Sequence, residues 1–193
     1  LMGLGGYPST DRQNLGMLGM HGTYEANMAM DDTDLVIALG ARFDDRVTNN
    51  PDKFSPKAKI IHMDIDPASI DKIVDSHIAL VGDAQWVIEA IWAEYQAQVK
   101  VRSAQRSESQ SQHLADWWLQ LNGWRKDHGL NHGLKPEQGK AILPQLAVQT
   151  LYRVTKGEAF VSSDVGQHQM FAAQYYHFDA SMLKCCHWER GCS

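Results

Sequence analysis

The stretch DLVIALGARFDD, residues 34–45, decides the fold class, because its short apolar run ends abruptly at Gly40. Two later stretches follow the same plan: AKIIHMDIDP, residues 58–67, and HIALVGD, residues 77–83, each pass from apolar side chains to acidic ones. Short continuous apolar runs that end in Gly or Asp are typical of buried parallel strands. The sequence therefore predicts three such strands.

Helical segments separate these runs, and we predict them over residues 23–31, 68–74 and 83–99. In the third segment Asp83 stands at the N-cap position. The apolar side chains of that segment recur at helical spacing and would form one face: Val87, Ile88, Ile91 and Tyr95. The alternation of strands and helices predicts an α/β fold with a Rossmann-like parallel sheet.

The second half of the chain begins with a change of composition. Residues 100–112 are polar and rich in Ser and Gln, so we predict a linker there. Helices are predicted over residues 113–129 and 143–157, the second with Pro144 in its first turn. Residues 158–166 restart the strand pattern, and residues 167–176 predict a further helix. This half therefore predicts the beginning of a second α/β domain.

Composition limits the classes of function. A net charge of −5, without any run of Lys or Arg, argues against a nucleic-acid surface. No apolar stretch approaches the roughly 20 residues that span a bilayer, so we expect no membrane association. Cysteine occurs only at positions 185, 186 and 192, and a cysteine-free body with no export leader suggests a cytoplasmic protein. The opening LMGLGGYP suggests a section of a longer chain.

The predicted strand ends carry a candidate nucleotide site, because ligands of parallel sheets bind beyond the carboxyl ends of the strands. Glycines there would let a ligand approach the backbone, Arg42 offers a fork for phosphate oxygens, and Asp64 can accept hydrogen bonds from a ribose. This set is typical of an adenine dinucleotide site, although the GxGxxG fingerprint of NAD enzymes is absent. The strand-end residues are Gly40, Ala41, Arg42, Asp44, Asp45, Arg46, Asp64, Asp66, Gly82 and Asp83.

Each of these residues also has a structural interpretation. Residues 44–46 could be a solvated loop with a surface ion pair, and Asp64 and Asp66 could end a strand and cap a helix. Gly40 and Gly82 could be plain turns, and His21 in the glycine-rich stretch before the first strand could be a structural histidine. The coincidence of ligand-type residues at three successive strand ends favours the binding site.

A second candidate site is SSDVGQHQM, residues 162–170, where a predicted strand passes into a helix. The unpaired amides of such a helix start can bind an anion such as a diphosphate. Alternatively, Asp164 caps the helix and the polar residues after it lie on the surface. The residues alone leave both interpretations open.

With these strings assembled, the chain resembles the acetolactate synthase large-subunit family of thiamine-diphosphate enzymes, from Leu1 to about Asp179. The resemblance is carried by LGMLGMHGTYEANMAM (15–30), LGARFDDRVTNN (39–50), KIIHMDIDPASI (59–70), VGDAQWVI (81–88) and SSDVGQHQMFAAQYY (162–176). It implies that residues 1–99 are the latter part of a central FAD-binding domain. Residues 100–112 would be a linker and residues 113–179 the start of a thiamine-diphosphate-binding domain. Residues 180–193 depart from the family pattern, which suggests a frameshift or a broken gene.

The resemblance also assigns site residues. Those expected at FAD or at the nearby substrate entrance are Met20, His21, Gly22, Thr23, Gly40, Ala41, Arg42, Asp45, Arg46, Val47, Asp64, Ile65, Gly82 and Asp83. Those expected at thiamine diphosphate are Val165, Gly166, Gln167 and His168. Neither the activating glutamate of the family nor its Mg²⁺ motif occurs in this sequence, so no catalytic residue and no metal ligand are assigned.

The activity implied for the full-length family enzyme is decarboxylation of pyruvate and transfer of the two-carbon unit to a second 2-keto acid, pyruvate or 2-ketobutyrate. This reaction belongs to branched-chain amino-acid biosynthesis and requires thiamine diphosphate and Mg²⁺, while FAD undergoes no net redox change. The family forms homodimers or tetramers with a small regulatory subunit. We expect the present chain to be inactive alone. The alternatives are a non-catalytic FAD- or nucleotide-binding module and a remnant without function.

Overall fold

The computed structural model describes residues 3–102, 108–179 and 185–187. The chain divides into two compact units: the terminal unit, Leu1–Ala26 with Gly129–Ser193, and the sheet unit, Asn27–His128. The two predicted domains, residues 1–99 and 113–179, have different bounds from these units. Their limits stay a prediction. The middle of the predicted linker, residues 103–107, lies outside the described residues, as does most of the tail.

The sheet unit contains three strands, β1 (Leu35–Leu39), β2 (Lys59–Asp64) and β3 (Ile78–Val81). They form one sheet in the order β1-β2-β3, and both pairings are parallel. The α/β class and the three predicted parallel strands are confirmed. A buried cluster lies on one side of this sheet and consists of Val36, Ala38, Phe43, Ile60 and Val74.

The opposite side of β1 is exposed. Leu35, Ile37 and Leu39 are 45%, 54% and 47% exposed, while Val36 and Ala38 between them are buried. The predicted burial of this strand therefore holds for one face only. A continuous apolar run does not reveal whether a second layer covers the sheet.

Helices precede and follow the sheet. α1 (Tyr24–Asp32) leads into β1, and a short α2 (Asp45–Thr48) follows it. α3 (Ala84–Arg102) starts after β3, and α4 (Glu108–His128) ends the unit. Both ends of the predicted linker are therefore helical, because α3 runs to Arg102 and α4 begins at Glu108.

The helix predicted over residues 68–74 was wrong. The structure has only a 3₁₀ turn, Pro67–Ser69, with Asp66 as its N-cap. Asp71 has a φ of 55°, a left-handed conformation that interrupts any helix, and its carboxylate accepts hydrogen bonds from the backbone N and Oγ of Ser76. These bonds hold the pKa of Asp71 below its usual value. Hydrogen bonds from Ser76 to the Asp71 side chain thus take the place of the backbone hydrogen bonds that a helix would make.

The terminal unit contains α5 (Pro144–Thr155), β4 (Val161–Ser163), α6 (Gln167–Tyr175) and β5 (Cys185–His187). The helices predicted over residues 143–157 and 167–176 are confirmed, and α5 and α6 contact each other. The backbone of β5, which belongs to the tail, pairs in parallel with β4. Within the described residues, no helix is long and apolar enough to cross a membrane.

Candidate cofactor-binding site

The carboxyl ends of β1, β2 and β3 lie along one edge of the sheet. The backbone N of Gly40 donates to the Met63 carbonyl at 2.8 Å, and that of Gly82 donates to the Asp64 carbonyl at 3.0 Å. The predicted strand ends are thus aligned side by side. In open parallel sheets this edge is where ligands bind.

The β1–α2 loop, residues 40–44, leaves this edge in an unusual conformation. Gly40 and Phe43 both have positive φ angles, 58° and 52°. A Cβ built at Gly40 would meet no atom within 4 Å. Glycine is therefore favoured here by its backbone conformation, and the space beside it is open to a ligand.

The loop rests on His62, a residue of β2 that is 0% exposed. Its Nε2 lies 2.8 Å from the carbonyl oxygen of Ala41, and its ring meets that of Phe43 edge to face, with centroids 4.9 Å apart. We did not single out His62 from the sequence, where it is one residue in an apolar run. The signal available there was that a histidine inside a buried strand needs a hydrogen-bond partner.

The charged residues after the loop form exposed ion pairs. Arg42 Nε lies 3.2 Å from Asp44 Oδ2, and Arg46 Nη1 lies 3.5 Å from Asp45 Oδ1. Asp44 also caps α2 through the backbone N of Arg46. These contacts match the solvated-loop interpretation, and such pairs are worth at most about 1 kcal/mol. The Arg42 side chain nevertheless stays 69% exposed, so it is accessible to an anion.

The acidic residues at the other strand ends shape local turns through Oδ1. Asp64 accepts a hydrogen bond from the backbone N of Asp66 at 2.9 Å, and Asp66 accepts one from Ala68 N at 2.9 Å. Asp83 accepts from the backbone N atoms at the start of α3, which confirms the predicted N-cap. The capping interpretation is therefore right for Asp66, whereas Oδ2 of Asp64 has no hydrogen-bond partner among the described residues.

The Met20–Thr23 segment belongs to the terminal unit. A Cβ at Gly22 would lie 2.2 Å from the Met17 carbonyl oxygen, so only glycine fits this turn. Thr23 Oγ1 accepts from Ala26 N at 3.2 Å and caps α1. The carbonyl of His21 accepts a hydrogen bond from Gln174 Nε2 at 2.8 Å. The two predicted parts of the FAD site thus lie in different units.

The second candidate site lies where β4 passes into α6. Asp164 Oδ1 accepts a hydrogen bond from Val165 N at 2.8 Å, so this carboxylate does not cap the helix. Gly166 occupies the N-cap position without a side-chain hydrogen bond to the helix. The capping interpretation was therefore wrong, and among the described residues no side chain caps the first amides of α6. A Cβ at Gly166 would lie 2.8 Å from Cε1 of His168, which favours glycine here.

Neither candidate site resembles a metal centre. Over residues 3–102, 108–179 and 185–187, no group of three or more His, Cys, Asp or Glu side chains could hold a metal ion. The groups that both sites offer are backbone amides, an exposed guanidinium and single carboxylates, which suit phosphate and ribose oxygens.

Comparison with known proteins identifies the class. Residues 1–91 match the model of the thiamine pyrophosphate enzyme central domain. This part of the chain is therefore similar to the central domain of thiamine pyrophosphate enzymes.

The particular relatives are acetolactate synthases. The chain is 50% identical over 179 residues to acetolactate synthase isozyme 3 large subunit of Escherichia coli, and 50% identical over 179 residues to the Haemophilus influenzae large subunit. It is 42% identical over 178 residues to acetolactate synthase 1, chloroplastic, of Oryza sativa. These matches cover 92–93% of this chain but only 26–29% of the relatives. The chain is thus homologous to a section of acetolactate synthase large subunits.

Proposed function

We propose that this chain is the cofactor-binding section of an acetolactate synthase large subunit, and that the carboxyl edge of its sheet binds FAD. The observation that carries the proposal is the alignment of three strand ends beside the open turn at Gly40. An adenine dinucleotide needs close backbone approach, a cation for its diphosphate and an acceptor for its ribose hydroxyls. The edge offers all three.

The donor set fits the parts of FAD. Arg42 would contact the diphosphate through its exposed guanidinium, and Oδ2 of Asp64 would accept from the ribose. The other residues proposed at FAD or the nearby entrance are Met20, His21, Gly22, Thr23, Gly40, Ala41, Asp45, Arg46, Val47, Ile65, Gly82 and Asp83. Because the family reaction that the resemblance implies has no net redox change, FAD would act here as a structural group.

The start of α6 is proposed to bind the diphosphate of thiamine diphosphate through Val165, Gly166, Gln167 and His168. The support is the absence of a side-chain cap at Gly166, which leaves amides for an anion. Thiamine diphosphate supplies the electron sink for decarboxylation of a 2-keto acid. The part of this chain would be to hold the anionic end of that cofactor.

The activity of the whole protein, by this proposal, is condensation of pyruvate with a second 2-keto acid, in a multimer with a regulatory subunit and with Mg²⁺. The 193-residue chain tested alone is expected to show no turnover, because its sequence offers neither the activating glutamate nor the Mg²⁺ motif. Acetolactate formation by the pure chain would contradict this expectation.

The binding experiment is a titration of the purified chain with FAD. Arg42→Ala and Asp64→Asn are expected to weaken binding about tenfold each, since each removes one hydrogen-bonded contact to a charged or polar group. Lys59→Ala and Asp34→Asn are matched controls, because these residues lie at the amino ends of β2 and β1 and are exposed. Equal losses in the controls would contradict the placement of FAD at the carboxyl edge.

A further inference from the structure

Within the part of the chain that the structure describes, His62 is buried with one ring nitrogen unsatisfied, which should destabilise the fold. The side chain is completely buried, its Nε2 contacts the Ala41 carbonyl, and its Nδ1 has no hydrogen-bond partner among the described residues. An unsatisfied buried polar atom destabilises a fold, and an apolar ring of similar size would avoid that penalty. Filling the core therefore does not account for a histidine at this position.

The hydrogen bond fixes the tautomer of the ring. A carbonyl oxygen can only accept, so Nε2 carries the proton and donates it to Ala41. Nδ1 faces no hydrogen-bond partner among the described residues. The one hydrogen bond of the ring among the described residues is thus the bond to the backbone of the β1–α2 loop.

That contact sets the direction of a peptide group. In a trans peptide the C=O and the following N–H point in opposite directions. Because the Ala41 carbonyl points inward to the buried His62, the N–H of Arg42 points away from the core. This N–H has no acceptor among the described residues. Arg42 therefore offers two groups on the outside of the loop: a backbone amide without an acceptor among the described residues, and an exposed guanidinium.

We propose that His62 is the positioning residue of the cofactor site: its Nε2–H holds the Ala41 carbonyl inward, so that the Arg42 amide and guanidinium present a joint site for phosphate oxygens. The identity of the anion as the FAD diphosphate rests on the proposed function. The orientation of the peptide does not, because it depends only on contacts inside the sheet unit.

Phe43 explains why such an anchor is needed. Its φ of 52° is unfavourable for a bulky residue, so the loop would relax unless it were held. The ring of Phe43 packs on His62 and also on Phe54, with centroids 4.9 Å and 5.7 Å apart. Ring packing and the hydrogen bond thus act together on the same loop.

The test compares two substitutions that separate ring volume from hydrogen bonding. His62→Phe keeps a ring but removes the donor, whereas His62→Gln keeps an N–H at a similar reach. Ile60→Val, at a buried position of the same strand, serves as the control for a general loss of core packing. The readouts are the ring ¹⁵N signals of His62, the backbone amide signals of residues 40–44, and FAD affinity by equilibrium dialysis.

We expect the wild-type ring to carry a proton on Nε2, as the contact with the Ala41 carbonyl requires. His62→Phe should shift the Arg42 and Phe43 amide signals and weaken FAD binding by about tenfold. His62→Gln and Ile60→Val should stay within about threefold of wild type, with these amides near their original positions.

Three results would overturn the proposal: an Nε2 without a proton, unchanged amide signals in His62→Phe, or equal losses of affinity in all three variants. If the wild-type chain binds no FAD, the proposed function fails, and the tautomer and amide signals still decide the role of His62.

Discussion

A methyl group at Gly22 would lie 2.2 Å from a backbone oxygen, whereas one at Gly40 would meet no atom within 4 Å. Both glycines were predicted as cofactor contacts, but the structure gives them different constraints. Gly22 is required by the packing of its own turn, and Gly40 by a left-handed backbone beside open space. Sequence reasoning located both glycines and could not distinguish them, because only the folded structure shows which atoms surround the position of the missing side chain.

Alanine substitutions should therefore separate the two glycines. Gly22→Ala is expected to lower the free energy of unfolding by about 3 kcal/mol, because the backbone at Met17 must move. Gly40→Ala should cost about 1 kcal/mol, the strain of a left-handed alanine, but should weaken FAD binding, because the methyl group enters the ligand space. Urea unfolding and FAD titration measure both. Normal FAD affinity in Gly40→Ala would contradict the proposed site.

Two histidines of the terminal unit predict a pH dependence of stability. Burial lowers the pKa of His132 and of His177, and the two rings lie 5.0 Å apart; the charge of His177 lowers the pKa of His132 further, while Asp179 opposes the shift of His177. The folded chain thus binds protons less readily than the unfolded chain. The contribution of these two histidines to the free energy of unfolding is therefore fully present above the unfolded pKa of about 6.5. It is lost progressively as the pH falls below that value.

We expect the free energy of unfolding to decrease between pH 7 and pH 5. His132→Phe keeps a ring against Tyr175 and removes one titrating group, so this slope should become shallower. His113→Phe changes an exposed histidine of the sheet unit and serves as the control. Urea unfolding at several pH values measures the slopes, and identical slopes in wild type and His132→Phe would contradict this account.

At the scale of elements, the sequence predicted which helices and strands occur, and in what order, better than it predicted how deeply they are buried. Apolar runs predicted the strands, the Asp83 N-cap predicted α3 and Pro144 predicted α5, and all of these are local signals. The prediction of a helix at residues 68–74 was wrong because Asp71 adopts a left-handed conformation. A single Asp in the sequence does not indicate this conformation. The predicted apolar face of α3 is only partly buried: Val87 is 4% exposed, while Ile88, Ile91 and Tyr95 are 45%, 44% and 52% exposed.

This contrast predicts different costs along one face of α3. Val87→Ala should lower the free energy of unfolding by about 2 kcal/mol, because Val87 is buried and the truncated side chain leaves a cavity. Ile88→Ala, one position further on, should change it by less than about 0.5 kcal/mol. Urea unfolding of the isolated chain measures both, and similar losses would mean that α3 packs in a different orientation.

At the scale of the whole molecule, apolar side chains remain uncovered on several elements. One face of β1 exposes Leu35, Ile37 and Leu39, and α3 exposes Trp86 and Trp92 at 67% and 59%. The chain also spans only 26–29% of the acetolactate synthases compared above. Sequence reasoning could not predict this exposure, because an apolar run looks the same whether or not another segment covers it.

The isolated chain should therefore bind a hydrophobic dye such as anilinonaphthalene sulfonate while keeping its folded circular dichroism. Ile37→Thr, on the exposed face of β1, should reduce the dye emission with little change in unfolding free energy. Ala38→Thr is the comparison on the buried face and should destabilise the sheet instead. Dye emission no higher than that of a compact control protein would contradict the exposed surface.

The central claim is that the aligned strand ends form the FAD site, and a map of FAD-induced amide shifts in the ¹⁵N-labelled chain tests it most directly. We predict that saturating FAD shifts the amides of residues 40–42, 64–65 and 82–83 most strongly, with smaller changes at the amino edge around residues 34 and 59. Shifts centred away from these strand ends, or no shifts with FAD in excess, would contradict the account.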